Sequence, residues 1–69
     1  MLPTSYTVRV VNEALGKDHF TGSFDSIANA LTYAEKQAQR SRSFVTFQVW
    51  CGTPRNPLNS SSNTVRGQS

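Results

Sequence analysis

Residues 24–51, FDSIANALTYAEKQAQRSRSFVTFQVWC, decide the fold, because within them the spacing of apolar side chains changes from one period to another. Ile27, Leu31, Ala34 and Ala38 recur at nearly four-residue intervals and Ala30 widens the stripe, the pattern of a helix that buries one face. The run from Ala34 to Arg40 consists of good helix formers, so the spacing predicts a helix from about Ser26 to about Arg40. Asp25 or Ser23 stands ready as its N-cap, and Ser41 and Ser43 interrupt it. Alanines on the buried side permit close approach to a sheet. Residues 44–51 then change the period to two, and their β-branched and aromatic side chains read as a strand. Val45, Phe47, Val49 and Cys51 form its apolar face; Phe44, Thr46, Gln48 and Trp50 form the other. A slip of one residue would instead send Trp50 to the core and expose Val49.

Upstream, residues 6–11 alternate in the same way, with Tyr6, Val8 and Val10 facing the core and Thr7, Arg9 and Val11 facing away. A polar connection containing Gly16 leads to Phe20, Gly22 and Phe24, which mark a second short strand and close a hairpin. Gly22 suggests a bulge or a close backbone approach. The assembly is an α+β domain, a small two-layer β-β-α-β unit: a three-stranded, mainly antiparallel sheet with one helix on one face. Residues 1–52 form this single domain. Residues 53–69, rich in Ser, Asn and Pro, read as a flexible basic tail, so the domain is expected to fold without residues 56–69.

A chain of 69 residues has room for one core. Its hydrophobic fraction of 36% is low because residues 52–69 contribute only Leu58 and Val65. No apolar run is long enough to span a membrane, and the start, Met1 to Ser5, lacks the charged and apolar blocks of a signal peptide, so a cytoplasmic location is the expectation. With Cys51 the single cysteine and His19 the single histidine, neither a disulfide nor a cysteine-cluster metal site can form within the chain. Neither a metal nor a cofactor is expected. Four scattered acids offer no general acid/base pair, and a Cys51–His19 pair lacks an orienting third group, so the chain reads as a binding protein and not an enzyme.

Charge is distributed unevenly. Residues 1–35 carry Arg9 and Lys17 against Glu13, Asp18, Asp25 and Glu35, a net of −2, whereas residues 36–69 carry Lys36, Arg40, Arg42, Arg55 and Arg66 with no acid, a net of +5. Such asymmetry points to an anionic partner. Lys36 and Arg40 lie one turn apart on the helix and Arg42 follows its end, which makes a basic patch. The plainer account is that cations near a helix C-terminus complement its dipole by about 0.3–1 kcal/mol each. Trp50, beside Gln48 and before Arg55, is placed to anchor a partner or to stack on a base. The expected partner-binding set is therefore Lys36, Arg40, Arg42, Gln48, Trp50 and Arg55.

The order of a hairpin, a helix opening Phe24-Asp25-Ser26-Ile27-Ala28-Asn29-Ala30-Leu31 and a strand over residues 44–51 resembles small phage-encoded inhibitors of host machinery. These are the anti-CRISPR proteins and the short phage inhibitor of bacterial RNA polymerase. The resemblance covers residues 6–51 and is one of pattern. It implies a non-enzymatic protein that disables a host nucleic-acid-handling complex, a CRISPR surveillance complex or RNA polymerase, by docking through a basic and aromatic face. In the polymerase inhibitor, arginines on the last strand make the key contacts, whereas the comparable stretch here reads Gln48, Val49 and Trp50. The alternative is direct nucleic-acid binding, with basic side chains on phosphates and exposed aromatics on bases. A sheet of three strands also leaves edges along which a second copy could pair as a homodimer.

Overall fold

The computed structural model describes residues 5–68; Met1 to Thr4, read above for a signal peptide, and Ser69 lie outside them. Five elements follow one another: β1 (Tyr6–Asn12), β2 (Lys17–Phe24), α1 (Ile27–Arg40), β3 (Val45–Gly52) and β4 (Pro57–Arg66). They form one four-stranded sheet in the order β2-β1-β3-β4 with every neighbouring pair antiparallel. β2 and β3 both run antiparallel to β1, so α1 connects two strands of the same direction by passing over β1. The helix touches all four strands and sits most closely over β3. The α+β class and the single helix on one face are as the sequence implies.

The core forms where the two periods meet. Ala30, Ala34 and Ala38 are fully buried, and they meet Val8 and Val49, also fully buried, and Phe47, which is 3% exposed. Tyr6, Val10, Val45 and Val65 pack around this centre from the sheet, and Leu31 and Tyr33 from the helix. The inward positions expected on β1 and β3 are thus the observed ones, except Cys51, which is partly exposed and lies outside the core cluster. The helical stripe is rotated, however, because Ile27 is exposed and Leu31 only partly covered while the alanines take the centre. Alanine keeps the helix close enough for sheet side chains to reach under it. The N-cap is neither Asp25 nor Ser23. Ser26 holds that position, with its Oγ accepting from the Asn29 backbone N–H at 3.2 Å, and Asp25 accepts instead from the Asn29 side chain at 3.1 Å.

The main correction concerns the C-terminal segment. Residues 53–69 are not a flexible tail beside a three-stranded sheet, because residues 57–66 form β4 along the free side of β3. Their polar composition argues for disorder only if every residue must bury something. An edge strand needs few apolar contacts, since its backbone pairs on one side and its side chains meet water. Val65 supplies the apolar contact, opposite Phe47. The chain then turns over the end of the helix, where the Gln68 N–H donates to the carbonyls of Ala38 and Ser41, at 3.0 and 3.1 Å. Ser41 N–H also donates to Ala38 at 3.2 Å, so backbone groups satisfy carbonyls that a helix end otherwise leaves open. Gly67 makes this crossing feasible, because a Cβ there would collide with the Arg42 carbonyl.

Both edges of the sheet are interrupted. β2 carries Lys17, Asp18 and His19, all exposed, and one register shift; β4 begins at Pro57 and carries two shifts. Charge, proline and bulges are the devices that oppose pairing along an edge.

Because the core is this small, β4 belongs to the cooperative unit. We expect deletion of residues 56–69 to abolish the cooperative thermal transition followed by far-UV circular dichroism, since small domains hold only about 5 kcal/mol in reserve. A truncated chain melting within a few degrees of the parent would show that the first three strands suffice.

Candidate functional site

The helix covers one side of the sheet, and no element of the described chain packs over the other. The register of the strands arranges the side chains of this open face in rows. Phe20 on β2, Arg9 on β1, Gln48 on β3 and Thr64 on β4 stand side by side across the sheet. Asp18, Val11, Thr46 and Arg66 form the row on one side, and Thr7, Trp50 and Ser60 the row on the other.

Phe20 reaches this face through a break in β2. Strict alternation would put Phe20 and Phe24 on the same side, since they are four residues apart. Tyr6 pairs with Phe24 while Val8 pairs with Thr21, so β2 holds one residue more than β1 over this interval. The extra residue turns Phe24 under the helix, where its ring lies 5.2 Å from that of Tyr33, and leaves Phe20 opposite Arg9 on the open side. Gly22 sits in the bulge with φ +81°, a conformation costly for any residue with a Cβ. Thr7, fully buried opposite the bulge, donates its hydroxyl to the Thr21 carbonyl at 3.0 Å and closes the gap in the ladder.

Arg9 organises what the bulge brings together. Its Nε and one terminal nitrogen both reach Asp18 Oδ2, each at 2.7 Å, and the other terminal nitrogen donates to Gln48 Oε1 at 3.2 Å. The same oxygen accepts from Trp50 Nε1 at 3.2 Å. Gln48 must therefore turn its carbonyl, the amide's one acceptor, toward both donors. The guanidinium carbon lies 5.6 Å from the centre of the Trp50 ring, within cation–π range, and Phe20 meets Trp50 edge to face with centroids 5.0 Å apart. Arg9, Phe20, Gln48 and Trp50, four side chains from three strands, thus hold one another in place, with Asp18 pairing Arg9 from the rim. The result is a half-buried aromatic and arginine cluster with Thr46, Ser60, Thr64 and Asp18 around it.

Of the residues expected to bind a partner, Gln48 and Trp50 belong to this cluster, and Trp50 lies on the face opposite the core. Lys36 and Arg40 are exposed on the outside of the helix and Arg42 follows it, so the sheet separates them from Trp50; Arg55 is exposed in the turn at the far end of β3. The expected set therefore divides between two faces and one turn. Sequence reading missed Arg9, Asp18 and Phe20 as site residues. Arg9 was legible as an outward position of β1, but Phe20 was not, because its side depends on the bulge. Cys51 and His19 are not brought together: they pair with Tyr6 and Val10, which are about 13 Å apart along β1 at about 3.3 Å per residue. Among the described residues no group of His, Cys, Asp and Glu could hold a metal ion, and no helix is long and apolar enough to cross a membrane.

The chain matches no family model, no curated protein and no solved structure.

Gly22 sets the geometry of the cluster, so its replacement tests how the face is built. A Cβ at this position would lie 2.5 Å from Phe24 Cε2, in addition to the backbone strain. We expect Gly22→Ala to lose about 1–3 kcal/mol in urea unfolding and to change the near-UV dichroism of Trp50. A variant as stable as the parent with an unchanged spectrum would show that the bulge forms without glycine.

Proposed function

We propose that the chain is a non-enzymatic binding protein that docks on a protein partner through the open face of its sheet, with Trp50, Phe20 and Arg9 at the centre of the contact. The observation that carries this reading is the Trp50 cluster itself. Binding energy at protein interfaces concentrates in a few tryptophans, tyrosines and arginines that are held rigidly and ringed by polar groups, and this face has that composition. Pre-ordered anchors lose little side-chain freedom on docking.

Two features favour a protein over a nucleobase at this face. A stacking platform needs an open aromatic surface, whereas Trp50 already has the Arg9 guanidinium over its ring and Phe20 edge to face against it. A phosphate site needs a free cation, whereas the charge of Arg9 is matched by Asp18. The pattern shared with small phage inhibitors extends the proposal: the partner is a host nucleic-acid-handling complex in the bacterial cytoplasm, a CRISPR surveillance complex or RNA polymerase. On this face the arginine comes from β1, so the contact chemistry differs from one built on last-strand arginines.

The test is direct binding to purified bacterial RNA polymerase and to a purified CRISPR surveillance complex, each treated with nuclease first. We expect binding to one of them to survive the nuclease and to weaken at least about thirtyfold in Trp50→Ala, the equivalent of about 2 kcal/mol, with Phe20→Ala acting in the same direction. Circular dichroism confirms that both variants fold. Binding to neither complex removes the proposed partner, and equal binding by folded Trp50→Ala removes the proposed face.

A further inference from the structure

Apart from Arg66, which ends β4 at the margin of the open face, the charge not matched there lies elsewhere. Arg9 is paired with Asp18, while Arg55 and Asp25 sit toward the end of the sheet where α1 begins. The remaining charges, Lys17, Lys36, Arg40, Arg42 and Arg66 against Glu13 and Glu35, amount to the whole net charge of +3. All of them belong to the hairpin turn, the second half of α1, the connection to β3 and the last residue of β4. These segments meet at the other end of the molecule, where Glu13 N–H bonds to the Phe44 carbonyl and Gly67 N–H to that of Val45. On the helix side of this end, Lys36, Arg40 and Arg42 are exposed, and their side chains make no hydrogen bond or ion pair with any described residue.

A helix C-terminus can account for nearby cations when its carbonyls lack partners. Here the N–H groups of Ser41 and Gln68 occupy the carbonyl of Ala38, and Gln68 also that of the C-cap residue Ser41, so backbone meets part of the helix end. Complementing the rest of the dipole is a field effect that leaves the donors of Lys36, Arg40 and Arg42 exposed. Glu13 points into the sheet side of this end, where its carboxylate accepts from the Thr46 hydroxyl at 3.4 Å, and Glu35 leads Lys36 by one residue, a quarter-turn around the helix. Neither acid is paired with Lys36, Arg40 or Arg42.

We infer that Lys36, Arg40 and Arg42 hold backbone phosphates of a nucleic acid, without reading its sequence. Three exposed cations with no side-chain partner among the described residues suit a polyanion, because each can neutralise one phosphate and release condensed counterions. Contacts of this kind position a protein on the phosphate backbone and carry no sequence information directly. This inference stands on different residues from the Trp50 face and goes beyond it. A protein carrying both surfaces could engage protein and nucleic acid of one complex from opposite sides of its sheet.

The test uses the full chain and a short fluorescein-labelled DNA duplex, with binding followed by anisotropy as salt is raised from about 50 to about 200 mM. Three phosphate contacts give a slope of log K against log salt near −2.7, a loss of roughly fortyfold over that range. Arg40→Gln with Arg42→Gln should bring the slope close to −0.9, whereas Arg40→Lys with Arg42→Lys should keep it near the parent value, because phosphates respond to charge. Arg55→Gln and Trp50→Ala should leave it unchanged. Absence of binding at about 50 mM salt, or a slope that the double glutamine variant does not alter, overturns the assignment. The readout contains no protein partner, so it fails or succeeds independently of the Trp50 face.

Discussion

The rest of the structure depends on how closely α1 can approach the sheet. Ala30, Ala34 and Ala38 place almost no side chain between helix and strands, so Val8, Phe47 and Val49 meet the helix nearly at its backbone. An interface made of alanine on one side contributes little area, and the apolar volume has to come from the sheet and from the rim provided by Phe24, Tyr33, Leu31 and Val65. Tyr6, Val8 and Val10 of β1 and Val45, Phe47 and Val49 of β3 are committed to that core. Because side chains alternate along a strand, the residues between them are committed to the opposite face with equal strictness.

That commitment produces the open face without any further device on β1 and β3: Thr7, Arg9 and Val11, then Thr46, Gln48 and Trp50. On β2 alternation alone would have kept the two phenylalanines together, and the bulge at Gly22 separates them. One phenylalanine closes the core and the other completes the cluster on Trp50. The same inserted residue therefore serves stability and the candidate site, which makes Gly22 the point where the two requirements meet.

The electrostatics divide along the same lines. At the centre of the open face a cation is held by a carboxylate, an amide oxygen and an indole ring, an arrangement that fixes a shape and leaves little net field. At the helix end the cations are exposed and have no side-chain partner among the described residues, an arrangement that leaves net field and fixes no shape. Charge-matched anchors suit a protein surface, and exposed, unmatched charges suit a polyanion. The sheet keeps the two apart.

By itself the sequence determined the elements that rest on repetition: a helix between residues 27 and 40 with its alanines inward, and strands over residues 6–11 and 44–51 with one apolar face, while the side taken by Trp50 was fixed only by the register of β3. These are local patterns, and burial on one face enforces them wherever the strand goes. Three further features needed the tertiary structure. β4 was illegible because an edge strand of serine, asparagine and threonine is stabilised by a neighbour's backbone, which its composition does not mention. The side taken by Phe20 was illegible because a single inserted residue reverses everything beyond it, and only the partner strand reveals the insertion. The separation of Lys36, Arg40 and Arg42 from Trp50 was decided by the thickness of the sheet between them, a distance that no spacing along the chain contains.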